Sequence, residues 1–267
     1  KPTVLSRIIY CFLAVCAAAA SFAQGGRQYS FTHYSATMGL VSNQVNSVVQ
    51  DKTGYIWIGT TDGLQRFDGY RYKTFRHVHN DSTTIPTNPV IQLVKDKQDR
   101  LWVLLANGKV GIFDASAFTF SEVVVKTEDP RWVYANKKLV CDDAGNLMLV
   151  YSGWGLLTFN EANREFAANY NFIIIPGEYR INELIQQPGT TKFWISTQDS
   201  SIAVYNTATK HFNYKNQNPD HEPVVAKLKN ILSPGSLFID KQQRLWFISW
   251  GPGIPLVYCY DTRKNSL

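Results

Sequence analysis

The stretch Gln50-Asp51-Lys52-Thr53-Gly54-Tyr55-Ile56-Trp57-Ile58-Gly59-Thr60-Thr61-Asp62-Gly63-Leu64 decides the fold, because its features recur along the chain. It opens as a polar turn begun by an Asp, enters a short apolar strand with a central Trp, and turns again at a Gly. An aromatic third strand follows, ending at Phe67-Asp68, and an apolar strand from Val45 to Val49 precedes it. A second copy runs through Asp96, Trp102 and Phe113-Asp114; a third runs through Asp142, Met148 and Phe159-Asn160. The fourth contributes Phe193-Trp194-Ile195 with Tyr205-Asn206, and the fifth Asp240, Trp246 and Tyr260-Asp261. The central positions 57, 102, 148, 194 and 246 lie 45, 46, 46 and 52 residues apart. Short strands repeated at that period, with a further aromatic run such as Tyr72-Lys73-Thr74-Phe75 closing each unit, predict an all-β propeller of four-stranded blades. About five blades are expected in this chain, over 45–76, 90–125, 137–170, 181–216 and 235–267. Helical periodicity is absent after residue 24.

Composition agrees with a packed β domain: 45% of the 267 residues are hydrophobic, 13% aromatic and 18% charged, which excludes a globally disordered chain. The first 23 residues stand apart. Lys1 and Arg7 precede an apolar run from Ile8 to Ala20, followed by Ser21-Phe22-Ala23, the three parts of a signal peptide. The run is too short to span a bilayer, and Val15 is bulky for a lipidation site at Cys16, so cleavage after Ala23 is expected. Residues 24–267 would then form the exported propeller. Without Lys1 and Arg7, 25 basic residues face 21 acidic ones. They are scattered rather than clustered, which argues against a nucleic-acid partner. Cys141 and Cys259 fall in non-adjacent blades, where they read as small apolar residues rather than a disulfide, and no His cluster accompanies them to form a metal site.

Two repeated features invite functional readings that packing explains better. Trp57, Trp102, Trp194 and Trp246 sit mid-strand between stacked sheets, so they are assigned to the core rather than to a sugar platform. In the Asp-opened turns the later positions are Lys, Thr, Gln or Arg, not calcium ligands, so the Asp is expected to bond its own turn backbone.

The segment Gly39-Leu40-Val41-Ser42-Asn43-Gln44-Val45, leading into Gln50 to Leu64, resembles the two-component regulator propeller repeat. Blades two and five are recognisable copies, and blades three and four are degenerate. The resemblance implies periplasmic sensors of hybrid two-component systems that govern glycan use. It also implies seven-bladed propellers followed by a membrane helix and cytoplasmic histidine kinase, receiver and DNA-binding domains. On that basis the chain is part of an incomplete propeller whose parent sits in the inner membrane. Further blades and the kinase domains of the same chain are its implied partners, and a homodimer is a further option. Aromatic alternation over residues 29–35 leaves a second reading open, in which this segment supplies the outer strand of blade five and closes a five-bladed ring.

A ligand site is expected where the repeat breaks down. The loops joining second to third strands, and one blade to the next, share one face of a propeller. They carry Trp154, Trp250, Trp132, Tyr179 with Arg180, and His221. Rings flanked by Gly and polar groups suit an oligosaccharide, whose apolar face stacks while its hydroxyls hydrogen-bond. No cofactor is implied. Gly-x-Ser-x-Gly, His-Glu-x-x-His and phosphate-loop patterns are absent from the sequence. Asp62, Asp199 and Glu178 lie near the proposed face, so a propeller enzyme acting on polysaccharide is the alternative, and a structural or dimerising propeller is a third.

Overall fold

A computed structural model describes residues 30–127, 130–198, 202–251 and 253–267. The expected signal segment, Tyr29, Asp129 and Asp199 lie outside them. The chain divides into two units, Lys1–Ser35 and Ala36–Leu267. In the first, the described residues 30–35 carry no strand assignment. The second unit carries the repeat.

Blade one comprises β1 (Val45–Gln50), β2 (Ile56–Thr60), β3 (Gly63–Phe67) and β4 (Tyr72–Phe75). Blade two comprises β5 (Val90–Lys95), β6 (Leu101–Leu105), β7 (Val110–Asp114) and β8 (Thr119–Glu122). The short β9 (Val124–Val125) then runs parallel to the outer edge of blade three, which is β10 (Lys137–Cys141), β11 (Leu147–Tyr151), β12 (Gly155–Asn160) and β13 (Glu165–Ala167). Blade four is β14 (Ile181–Gln186), β15 (Lys192–Thr197), β16 (Ile202–Asn206) and β17 (His211–Asn213); blade five is β18 (Pro234–Ile239), β19 (Arg244–Ser249) and β20 (Leu256–Asp261). Each blade is an antiparallel meander in sequence order. The Asp-opened turns therefore gather at one end of the molecule, and the turns between second and third strands gather at the other.

Each Asp-opened turn is fastened to the Trp six residues on. The Asp51 Oδ1 accepts from the Thr53 and Tyr55 amides at 2.9 and 3.0 Å, as turn chemistry requires, while Oδ2 accepts from Trp57 Nε1 at 2.7 Å. Asp96 with Trp102 and Asp240 with Trp246 repeat the bond at 2.8 and 2.9 Å. In those two blades Arg100 and Arg244 add a second donor to the same carboxylate oxygen. The indole is thus buried with its one polar atom satisfied. Blade four lacks the Asp: Gln187 takes the equivalent backbone bond, from its N–H to the Lys192 carbonyl, and the buried Trp194 Nε1 has no hydrogen-bond partner.

Apolar residues between successive blades form four buried clusters. Trp57 and Leu64 pack on Val90, Leu93 and Phe113; Trp102 and Leu104 pack on Leu139, Leu149 and Phe166. Met148 and Val150 meet Ile181, Phe193 and Tyr205, and Trp194 with Val204 meets Leu237, Leu245 and Phe247. Gly59 allows the first of these contacts, since a Cβ there would sit 2.6 Å from Val90 Cγ1. Trp246 departs from the expected pattern. It is half-buried, and its sheet face also presents Phe238 at 59% and Val257 at 69% exposure, because the described residues place no sheet over it.

Polar side chains staple neighbouring inner strands at a second repeated position. Ser47 Oγ accepts from the Leu93 amide at 3.0 Å. Gln92 bonds both backbone groups of Leu139, accepting at 2.7 Å and donating at 2.9 Å. Glu183 accepts from the Leu237 amide at 2.8 Å and pairs with Lys138 at 3.4 Å. The sequence period gave no helix, yet a short one, α1 (Pro223–Lys227), covers the core between blades four and five with Val224 and Val225. Pro223 starts it at a position where no amide is needed. Cys141 and Cys259 are free and half-buried, and burial pushes the Cys141 thiol up to about 11.

Two measurements test these fastenings. Trp57→Phe and Trp194→Phe remove similar ring area, but only the first strands a carboxylate. Trp57→Phe should therefore lower unfolding free energy by about 1.5 kcal/mol more than Trp194→Phe in urea titration; equal losses would refute the role of the indole bond. Gln92→Leu should cost about 1–3 kcal/mol by leaving both Leu139 backbone groups unpaired, and Gln92→Glu, which can accept but not donate, should fall between it and the parent chain.

Candidate functional site

The inner strands begin at the end opposite the Asp-opened turns, and four of them begin irregularly. Register shifts lie between Val45 and Ser47, Val90 and Gln92, Ile181 and Glu183, and Gly235 and Phe238. A bulge turns its extra residue out of the ladder, so Asn46, Ile91, Asn182 and Ser236 line a shared cavity of about 640 Å³. All five blades contribute to this mouth. Its wall is mainly amide and hydroxyl groups: Asn46 donates to the Val90 carbonyl at 2.8 Å, and Ser152 Oγ lies 3.2 Å from Asn182 Oδ1. Lys137 and Lys138 bring positive charge and Glu183 the negative charge; burial pulls the Lys137 ammonium below its ordinary value.

Trp250 is the aromatic group of the mouth. It is 56% exposed and lies against Gly235, where a Cβ would sit 3.3 Å from Nε1. The bare glycine lets the indole approach the start of β18 closely while the ring stays partly open to solvent.

The other residues expected at a ligand site distribute differently. Trp154, Arg180 and Trp132 come together beside the mouth, whose rim includes Asn136 and Ser152 from the same turns. The Arg180 guanidinium lies 4.9 Å from the Trp154 ring centre and donates to the Gly153 carbonyl at 3.2 Å. Trp132 packs on the Tyr151 ring at 5.0 Å and against Gly155. Both rings are half-buried against the core between blades two and three. Tyr179 does not join them: it packs at 5.0 and 4.7 Å on Phe212 and Tyr214, in the core between blades three and four.

His221 lies at the opposite end of the molecule. The segment after β17 folds back, so that Asp220 bonds Thr209 and His211 in the third turn of blade four, and Glu222 pairs with Lys192 at the start of β15. Burial raises the Asp220 carboxyl, but bonds from Asn213, His211 and Thr209 outweigh it and bring it down to about 2. These residues hold a loop in place. Asp62 is likewise occupied, by Arg76 at 2.5 Å and Asn88 at 3.2 Å. The inner-strand residues of the mouth were not singled out from sequence, although Ser47, Gln92, Lys138 and Glu183 recur at the blade period and could have been found that way. Among the described residues no group of three His, Cys, Asp or Glu side chains could hold a metal ion, and no helix is long and apolar enough to cross a membrane.

Comparison with known proteins places this architecture. Residues 39–62 match the family model of the two component regulator propeller. Over 82 residues, 31% of this chain and 6% of the relative, the sequence is 37% identical to Histidine kinase P4 of Formosa agariphila. Among solved structures it is similar to the extracellular domain of a hybrid two-component system, BT3049, of B. thetaiotaomicron: TM-score 0.60, 18% identity, 89% of this chain and 36% of that one. The extracellular domain of BT4673 from the same organism gives TM-score 0.60 at 19% identity, over 86% of this chain and 32% of that one. The chain spans well under half the length of each. The fold is a β-propeller, and the match to the two component regulator propeller falls on residues 39–62, which hold β1 and β2 of its first blade.

Proposed function

We propose that this chain is the exported, ligand-sensing propeller segment of a larger hybrid two-component receptor, and that it detects an oligosaccharide at the mouth formed by the inner strands. The observation that carries this reading is the half-open Trp250 set among amides and hydroxyls from five blades. A ring accepts the apolar face of a sugar, and converging polar groups fix its hydroxyls. Rigid strands hold these groups in place before a ligand arrives, which lowers the ordering cost of binding. The matched repeat and the histidine kinase relative support the receptor context, and with it a periplasmic location and an inner-membrane parent.

Recognition is favoured over hydrolysis by the carboxylates available. Glycoside hydrolysis calls on a pair, whereas Glu183 is the one carboxylate among the described residues of the mouth, and it is held by Leu237 and Lys138. The uncovered face of blade five extends the reading. Phe238, Trp246 and Val257 repeat, on that face, the arrangement that buries Trp57 and Trp102 elsewhere, so a further blade of the parent chain is its proposed cover.

Calorimetry of the folded protein against an oligosaccharide panel tests the ligand. At least one member should bind saturably, and Trp250→Ala should weaken it about tenfold or more with unchanged thermal unfolding; absence of heat from every sugar would end the reading. For the covering blade, Val257→Lys should leave this chain's stability nearly unchanged yet destabilise a longer chain by about 2 kcal/mol or more. Equal effects in both chains would count against it.

A further inference from the structure

A second cleft, of about 540 Å³, opens at the Asp-turn end between blades one and two, away from the mouth. Arg66 projects into it from β3. Its guanidinium lies 4.2 Å from the centre of the Tyr55 ring and 5.0 Å from that of Phe118, and these rings orient the fork. Among the described residues Arg66 has no hydrogen-bond or ion-pair partner. Two of the carboxylates nearby are committed elsewhere. Asp51 is taken up by its turn and Trp57, and Asp99 is paired with Lys95 at 2.8 Å. Asp114 spends one oxygen, Oδ1, on the Ser116 and Ala117 amides at 2.7 and 2.8 Å, and its Oδ2 remains open.

The cleft therefore offers the ring-oriented Arg66 fork and one open carboxylate oxygen, with Lys52 and Arg164 also in its lining. A carboxylate on the ligand would satisfy Arg66 by two parallel hydrogen bonds, and a ligand hydroxyl would donate to Asp114. Lys52, Lys95, Arg100 and Arg164 line the cleft beside Asp51, Asp99 and Asp114, so net charge alone would attract any anion, and it is the planar fork held between rings that matches a carboxylate. We propose that this cleft binds a uronate residue of an acidic oligosaccharide, with Arg66 on the sugar carboxylate and Asp114 on a ring hydroxyl. The proposal rests on the saccharide part of the reading above but uses a different end of the molecule, so each can fail alone.

Calorimetry of the full chain with digalacturonate, lactose and sodium sulfate is the test. Digalacturonate should bind saturably and the other two at least about tenfold more weakly. Arg66→Gln should weaken digalacturonate about tenfold or more, and Arg66→Lys should weaken it less. Asp114→Asn separates the proposed contact from bulk charge: removing a negative charge would tighten a merely electrostatic site, whereas losing the hydroxyl acceptor should weaken this one. No saturable digalacturonate binding by the folded protein, equal binding by Arg66→Gln, tighter binding by Asp114→Asn, or sulfate binding as strong as digalacturonate would each overturn the proposal.

Discussion

The indole of a strand Trp can be buried between two sheets only if its N–H finds an acceptor, and the Asp of the preceding turn supplies one. That bond joins two requirements. The same carboxylate closes the turn with one oxygen and caps the Trp with the other, so turn geometry and core packing are fixed together. A blade cannot bury both faces by itself; the capped Trp makes it a wedge against its neighbour in the clusters that hold Trp57 and Trp102.

Departures from the pattern show what it supplies. Blade three replaces the Trp by Met148, a flexible thioether that needs no acceptor, and Asp142 turns to Asn146 instead, accepting from its side chain at 2.8 Å. Blade four keeps Trp194 but loses the Asp, and its buried indole nitrogen goes unpaired. In blades two and five the Gly of the turn is replaced by Asp99 and Gln243, which adopt φ of 61° and 63°. The turn tolerates that left-handed strain because the Asp still receives its bonds from the backbone, the Arg and the Trp.

Architecture and the proposed recognition would compete for the same polar groups along the inner strands. Ser47, Gln92 and Glu183 spend their hydrogen-bonding capacity on the next blade, which rigidifies the mouth and subtracts them from ligand binding. What remains is contributed by the bulged residues and by Trp250. At the other end the balance is reversed, since Arg66 is oriented by rings that leave its donors unspent.

The sequence by itself determined the propeller and the structural role of Trp57, Trp102 and Trp194, because these depend on period, turn chemistry and strand alternation. The Asp–Trp bond was not read from the sequence, where turn chemistry pointed only to backbone partners, although it recurs at a constant six-residue spacing. Tertiary structure decided everything that depends on how a non-repeating segment returns to its scaffold. Trp132, Trp154 and Tyr179 look alike as loop aromatics, yet the first two gather beside the mouth while Tyr179 enters the core. The fold-back after β17 carries His221 to the far end. Loop paths are set by long-range contacts such as Asp220 with His211 and Glu222 with Lys192, and such contacts leave no periodic trace in the chain.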